Sequence, residues 1–491
     1  MLAASEMLRI QLAGLSVCKD VRTSMWVGLK VLRRTPPRVW MPHSRSGGDQ
    51  SRTPRVPALN VKSFRIKDAR VLGNGRYLPP GITCLSIMGT FRLPLDGSFQ
   101  WPPRLERLTL NRGCCSKWFY RDLGEGDLPS RLTELDLGYK FNTPLARVLP
   151  QTLKVLTFGE EYNQPLDGVL WPPNLERLVF GRRFNQPVVA WISLVPCLRV
   201  LKFGDCFNQT VAGVSWPPGL RELAFGGQFH QPLPRALPKE LEVIDFGGCF
   251  DEPLDAVVSW PFSMKEMTLS TNFNQRLQGM LPPKLEILYF GQRFDQPLDG
   301  VTWPRGLREV TFGYSFNQEL DKKSLPPGLI KVTFGFCFNQ RLPDELPKTL
   351  EFVTFGNTFN QPLDGVAWPG LRRLDLGHDF NHPLPQTLPE KLEVLKLSHL
   401  FNKPLPEKLP ANLEHLFFGA SFNSPINGVV WPQGLKTISF GNLFEQPLRG
   451  VRFPAGLQVV FLNCRQEKRD FVKEGVEWPA GVFVKLCLPW N

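Results

Sequence analysis

Six histidines, ten cysteines and thirteen tryptophans are the side chains through which this sequence could do metal, redox or stacking chemistry. His378 and His382 stand four apart, which on a helix would let two imidazoles share a zinc ion. The stretch between them, Asp379-Phe380-Asn381, reads instead as the exit from a strand, so the rings do not share a face. His378 and His399 hold equivalent places in successive repeats, close enough to share a metal, but Asn357 and Ala420 hold that place on either side and supply no third ligand. Gly73-Asn74-Gly75 resembles the opening of a dinucleotide loop, yet Leu78 stands where a further glycine belongs and no helix follows. It reads as a turn. No acid, base and nucleophile come together elsewhere, so the expectation is no catalytic residue, no metal site, no cofactor and no enzyme.

The cysteines argue for reduced thiols. Cys206, Cys249 and Cys337 recur at one repeat position, at least two repeats apart, which exceeds disulfide reach when strands stand about 4.8 Å apart. An intracellular, cytoplasmic setting follows as the expectation. No apolar run approaches the roughly 18 residues of a membrane span. The net charge is +13, but the first 56 residues alone hold ten Lys or Arg against three acids. With the remaining excess spread thinly, nucleic acid is not the expected partner. Residues 1–56, Arg-rich with Leu8, Leu12 and Leu15 spaced for one helical face, read as a disordered tail or an organelle-targeting segment.

The elements that hold these residues repeat. An aromatic followed by an Asn-like residue recurs at Phe141, Tyr162, Phe184, Phe207, Phe229, Phe250, Phe273, Phe294, Phe316, Phe338, Phe359, Phe380, Phe401, Phe422 and Phe444, always 21 to 23 residues apart. Phe91 and Phe119 begin weaker copies, giving about seventeen coils from near Leu78 to near Asn463. Within a coil, Leu307, Val310 and Phe312 are apolar with Thr311 between the last two, which predicts a short strand. A glycine follows in most coils, as at Gly159, Gly181, Gly204, Gly226, Gly291, Gly335, Gly356 and Gly441, and suggests a positive φ at the strand exit. The return carries two prolines, such as Pro297 and Pro304, and should be extended or polyproline-like. Before the second proline, Trp171, Trp216, Trp260, Trp303, Trp368 and Trp431 interchange with leucines, a pattern that burial explains better than a sugar-stacking row. Asn after the marker suits a ladder that satisfies backbone groups from coil to coil.

These residues resemble the FNIP repeat family, which is grouped with leucine-rich repeats: "FNQPL" at 359–363 and "FNSPI" at 422–426 carry the signature. The resemblance implies a mainly β, right-handed, leucine-rich-repeat-like solenoid of about seventeen 21–23-residue coils and a protein-binding role. One face should be a parallel sheet and the other a set of extended, polyproline-like returns. The expected division is a basic segment 1–56, an N-terminal cap with the first coil at 57–90, the repeats at 91–463 and a C-terminal cap at 464–491.

In such a solenoid the strand positions between the apolar ones point outward on the concave sheet. Ile287, Tyr289, Lys331, Phe352, Arg373, Lys396, His415 and Phe417 hold those positions in the middle coils and form the expected partner-binding surface. A competing reading packs the C-terminal stretch from Phe471 to Trp490 over these aromatics. The expected partner is a protein or extended peptide, with oligomeric state left open. Carbohydrate or cell-surface recognition through exposed aromatic stripes is the alternative.

Overall fold

The computed structural model describes residues 62–66, 78–87, 100–110, 124, 126–145, 149–256, 259–277, 279, 281–463 and 474–486. The basic segment 1–56, Gly73 to Gly75, the markers Phe91 and Phe119, and the ends of the stretch from Phe471 to Trp490 lie outside the described residues. Among the described residues, twenty strands follow one another along the chain. The first ten are β1 (Ser63–Ile66), β2 (Cys84–Ile87), β3 (Arg107–Leu110), β4 (Glu134–Asp136), β5 (Val155–Thr157), β6 (Arg177–Val179), β7 (Val200–Lys202), β8 (Glu222–Ala224), β9 (Val243–Asp245) and β10 (Glu266–Thr268). The rest are β11 (Ile287–Tyr289), β12 (Glu309–Thr311), β13 (Lys331–Thr333), β14 (Phe352–Thr354), β15 (Arg373–Asp375), β16 (Val394–Lys396), β17 (His415–Phe417), β18 (Thr437–Phe440), β19 (Val459–Leu462) and β20 (Phe483–Leu486).

Each strand pairs in parallel with the next, so sequence order is spatial order and the chain winds as a solenoid. Period-2 alternation sets which side is buried: Val332 is in the core while Lys331 and Thr333 face out. β1 and β20 lie in the stretches read as caps and extend the sheet by one strand at either end. The described part of the C-terminal stretch therefore continues the sheet at its edge rather than lying across its face.

The marker aromatics form one column. Rings from Phe141 to Phe444 stack coil on coil with centroids 5.8 Å to 6.4 Å apart, and each is at most 1% exposed. A second ring often closes on the marker from its own coil, as Phe312 does on Phe316 at 4.0 Å. Offset stacking adds about 0.5 to 1.5 kcal/mol per pair beyond area burial. The tryptophan row is inside as well: Trp171, Trp368 and Trp431 are buried and Trp216, Trp260 and Trp303 pack half-buried against the core.

The strand-exit glycines need a different explanation from positive φ. None of the eight glycines named for this position has it; among the described strand exits Gly138, Gly247 and Gly377 do, and in each case an Asp two residues earlier accepts the glycine N–H. At the others the constraint is approach. A Cβ on Gly335 would stand 1.6 Å from the carbonyl oxygen of Gly313, and one on Gly356 would stand 1.7 Å from that of Gly335. Since the obstruction is backbone, no rotamer change relieves it.

The returns are more structured than extended chain. The second proline opens a turn: the Leu307 N–H donates to the Pro304 carbonyl at 3.1 Å, and Leu350 does the same to Pro347 at 3.0 Å. That turn delivers the buried leucine two residues before the next strand.

Candidate functional site

Two rows of side chains project from the sheet. The first positions of β11 to β17 align Ile287, Glu309, Lys331, Phe352, Arg373, Val394 and His415. The third positions align Tyr289, Thr311, Thr333, Thr354, Asp375, Lys396 and Phe417. The eight sequence-predicted residues thus fall in one patch spanning seven strands, about 29 Å at the usual strand spacing. Lys331, Phe352, Arg373 and Lys396 are exposed, whereas Ile287, Tyr289, His415 and Phe417 are half-buried among their neighbours.

Several of the charges are already engaged. Lys331 reaches Glu309 at 3.1 Å and Lys396 reaches Asp375 at 2.9 Å, each on the preceding strand. Arg373 makes no ion pair among the described residues, which leaves its guanidinium beside Phe352 open to a carboxylate from outside. Burial, then Glu266 and Glu309, push the Tyr289 phenol above its ordinary range, so it stays a neutral donor.

Sequence reasoning missed two features. Residues just before the strands form a ladder of exposed ion pairs, including Arg221 to Glu242 at 3.4 Å, Lys265 to Glu242 at 2.8 Å and Arg372 to Glu393 at 2.5 Å. Beyond the strand exit, Tyr314 stacks on Phe336 at 4.7 Å with both rings exposed; His378 and His399, already read as neighbours from their repeat positions, stack at 4.6 Å. Reading each repeat position as a column would have found both. His378 Nδ1 meets Asp379 at 2.5 Å, and among the described residues no group of three or more ligating side chains surrounds a metal position.

The edge beside the marker column is a ladder of side-chain amides. Asn339 Oδ1 accepts the Asn360 N–H at 2.8 Å and the Gln361 amide at 3.2 Å. The same bond recurs from Asn142 to Glu445, with Asp251 and Asp295 serving as well as Asn. No such bond joins His230 to Asp251, because the His230 ring has no carbonyl and turns to Asn208 and the Gln228 carbonyl. Asn208, the asparagine of the glycosylation-type triplet Asn208-Gln209-Thr210, is held inside this ladder on both its oxygen and its nitrogen. The cysteines Cys84, Cys197, Cys206, Cys249 and Cys337 are free thiols.

Comparison with known proteins agrees with this geometry. Residues 120–161, 162–206, 207–249, 294–337 and 401–443 match the FNIP Repeat family model. The solved structure of CroV588, described as a novel circular LRR protein, superposes with a TM-score of 0.67 at 29% identity, covering 87% of this chain and 68% of that one. YopM from Yersinia enterocolitica shows 17% identity and a TM-score of 0.39 over 79% of this chain and 88% of its own. An internalin from Listeria monocytogenes shows 13% identity and a TM-score of 0.38 over 57% and 84%. A search of curated proteins finds no match.

Proposed function

Since this chain is an FNIP-repeat protein with a leucine-rich-repeat-like solenoid, we propose that it is a non-enzymatic interaction scaffold that binds a protein or extended peptide through its strand face. The observation that carries this reading is the patch from β11 to β17, where aromatic, aliphatic and cationic side chains share one face. Aromatic and arginine side chains supply most of the energy in protein interfaces, and a sheet face of this length suits an extended partner better than a small substrate. Arg373 and Phe352 are the centre of the proposed contact, with Tyr289 and Phe417 at its two ends.

The test is affinity capture from native lysate by the full chain, beside Tyr289→Glu/Phe352→Glu/Phe417→Glu and a return-side control, Leu170→Glu/Val430→Glu. Leu170 and Val430 are exposed on the opposite side of the coil. A partner kept by the parent and the control and lost by the strand-face variant supports the reading. Equal capture by all three overturns it.

A second reading is favoured by the exposed Tyr314 and Phe336 pair, whose parallel rings could carry a pyranose. The tryptophans are too buried for that role. Glycan-array binding that disappears in Tyr314→Ala/Phe336→Ala would support carbohydrate recognition.

A further inference from the structure

The strand face is not uniform in charge. Across β8 to β12 the outward rows hold the carboxylates Glu222, Asp245, Glu266 and Glu309 and no cation. Lys202 and Lys331 bridge the two outer ones, Glu222 and Glu309. Glu266, between them, meets no cation at bridging distance among the described residues, and burial followed by its acidic neighbours pushes its carboxyl above the ordinary range. Val243, Ile287 and Tyr289 lie half-buried among these acids, so the face offers apolar contact as well as charge.

One stretch of the same chain is complementary. Residues 21–48 contain Arg22, Lys30, Arg33, Arg34, Arg38 and Arg45 and not one carboxylate, and the run from Lys30 to Met41 interleaves its cations with Val31, Leu32, Val39 and Trp40. Length permits contact. From β1 to β12 is about 53 Å at the usual strand spacing, and the chain from Arg38 to Lys62 extends to roughly 80 Å.

We propose that the basic segment around residues 30–41 docks in cis on the acidic strand face of β8 to β12. Tethering supplies an effective concentration on the order of millimolar, so a weak electrostatic contact suffices. The docked segment covers Ile287 and Tyr289 and so competes with a partner for one end of the candidate surface. That consequence rests on the partner reading, whereas the docking itself does not.

The test is carbodiimide coupling of the full chain, which joins an amine to a carboxylate only in direct contact, read by mass spectrometry on the monomeric fraction. Lys30 is the one lysine in residues 21–48. Coupling of Lys265 to Glu242, which stand 2.8 Å apart, reports in the same sample that the fold is intact. The expected result is coupling of Lys30 to Glu222, Asp245, Glu266 or Glu309. Its yield should fall roughly fivefold between about 50 mM and about 500 mM salt and stay constant on dilution. Absence of the Lys30 product from the monomer beside a normal Lys265 product overturns the proposal, as does a Lys30 product confined to the covalent dimer and lost on dilution, which would place the contact between two chains. Both results are read with no partner present, so failure here leaves the scaffold reading standing.

Discussion

The wall where marker rings and amides meet coil on coil differs from the strand face in one respect that explains the rest. On the wall, residues contact their own counterparts in the next coil, so the best residue for one coil is in general the best for the others: Phe on Phe, Asn on Asn, Gly against Gly. On the strand face the side chains are exposed or half-buried and need not match their counterparts, and Ile, Glu, Lys, Phe, Arg, Val and His succeed one another along a single row. Repetition marks self-contact, and variety marks a surface that stacking leaves unconstrained, as the proposed recognition requires.

The sharpest way to break the contrast is Gly335→Ala. With a carbonyl oxygen 1.6 Å from the new Cβ, we expect a loss of more than about 5 kcal/mol, read as failure to give the parent circular dichroism spectrum. Gly306→Ala is its control, because the nearest atom there is an ordinary 3.5 Å away and the melt should shift little. Next comes Phe338→Ala, which opens the ring column and should cost about 3 to 5 kcal/mol in denaturant unfolding. Asn339→Ala follows: two donors lose their acceptor, for about 1 to 3 kcal/mol, whereas Asn339→Asp should cost under about 1 kcal/mol because Asp295 already fills that role. Phe352→Ser on the exposed face should change stability by less than about 1 kcal/mol.

The smallest expected effect is on pH. Burial, then the neighbouring His378, hold the His399 imidazole below its ordinary value of 6.5. A depressed folded value means the unfolded chain binds the proton more readily, so this contribution to stability is complete above pH 6.5 and is lost as pH falls through the lower folded value. The ring is largely solvent-screened, and the step should be a slight fall in melting temperature that His399→Asn removes.

Much of this contrast was legible in the sequence. The 21 to 23 residue period, the alternation Leu307, Val310, Phe312 and the amide ladder are all local patterns whose physical demand is visible in one coil. The role of the glycines was not. Their positive φ was a reasonable inference from a single coil, but the true constraint is a distance between two coils, which exists only after stacking. The same holds for the stacked pair Tyr314 with Phe336 and for the segregation of acids on β8 to β12, whereas the approach of His378 to His399 followed from their equivalent places in successive repeats. The first two depend on which residues register side by side. β1 and β20 escaped because they join the sheet without the Phe-Asn marker that made the other coils recognisable.

The most direct test is a side-by-side thermal melt of two triple variants, Asn317→Ala/Asn339→Ala/Asn360→Ala on the wall and Tyr289→Ser/Phe352→Ser/Phe417→Ser on the strand face. The wall variant should lose roughly 3 to 9 kcal/mol and melt far below the parent, while the strand-face variant should lose less than about 2 kcal/mol. A strand-face variant that falls as far as the wall variant would show that its aromatics hold the fold together and would contradict the assignment of that face to recognition.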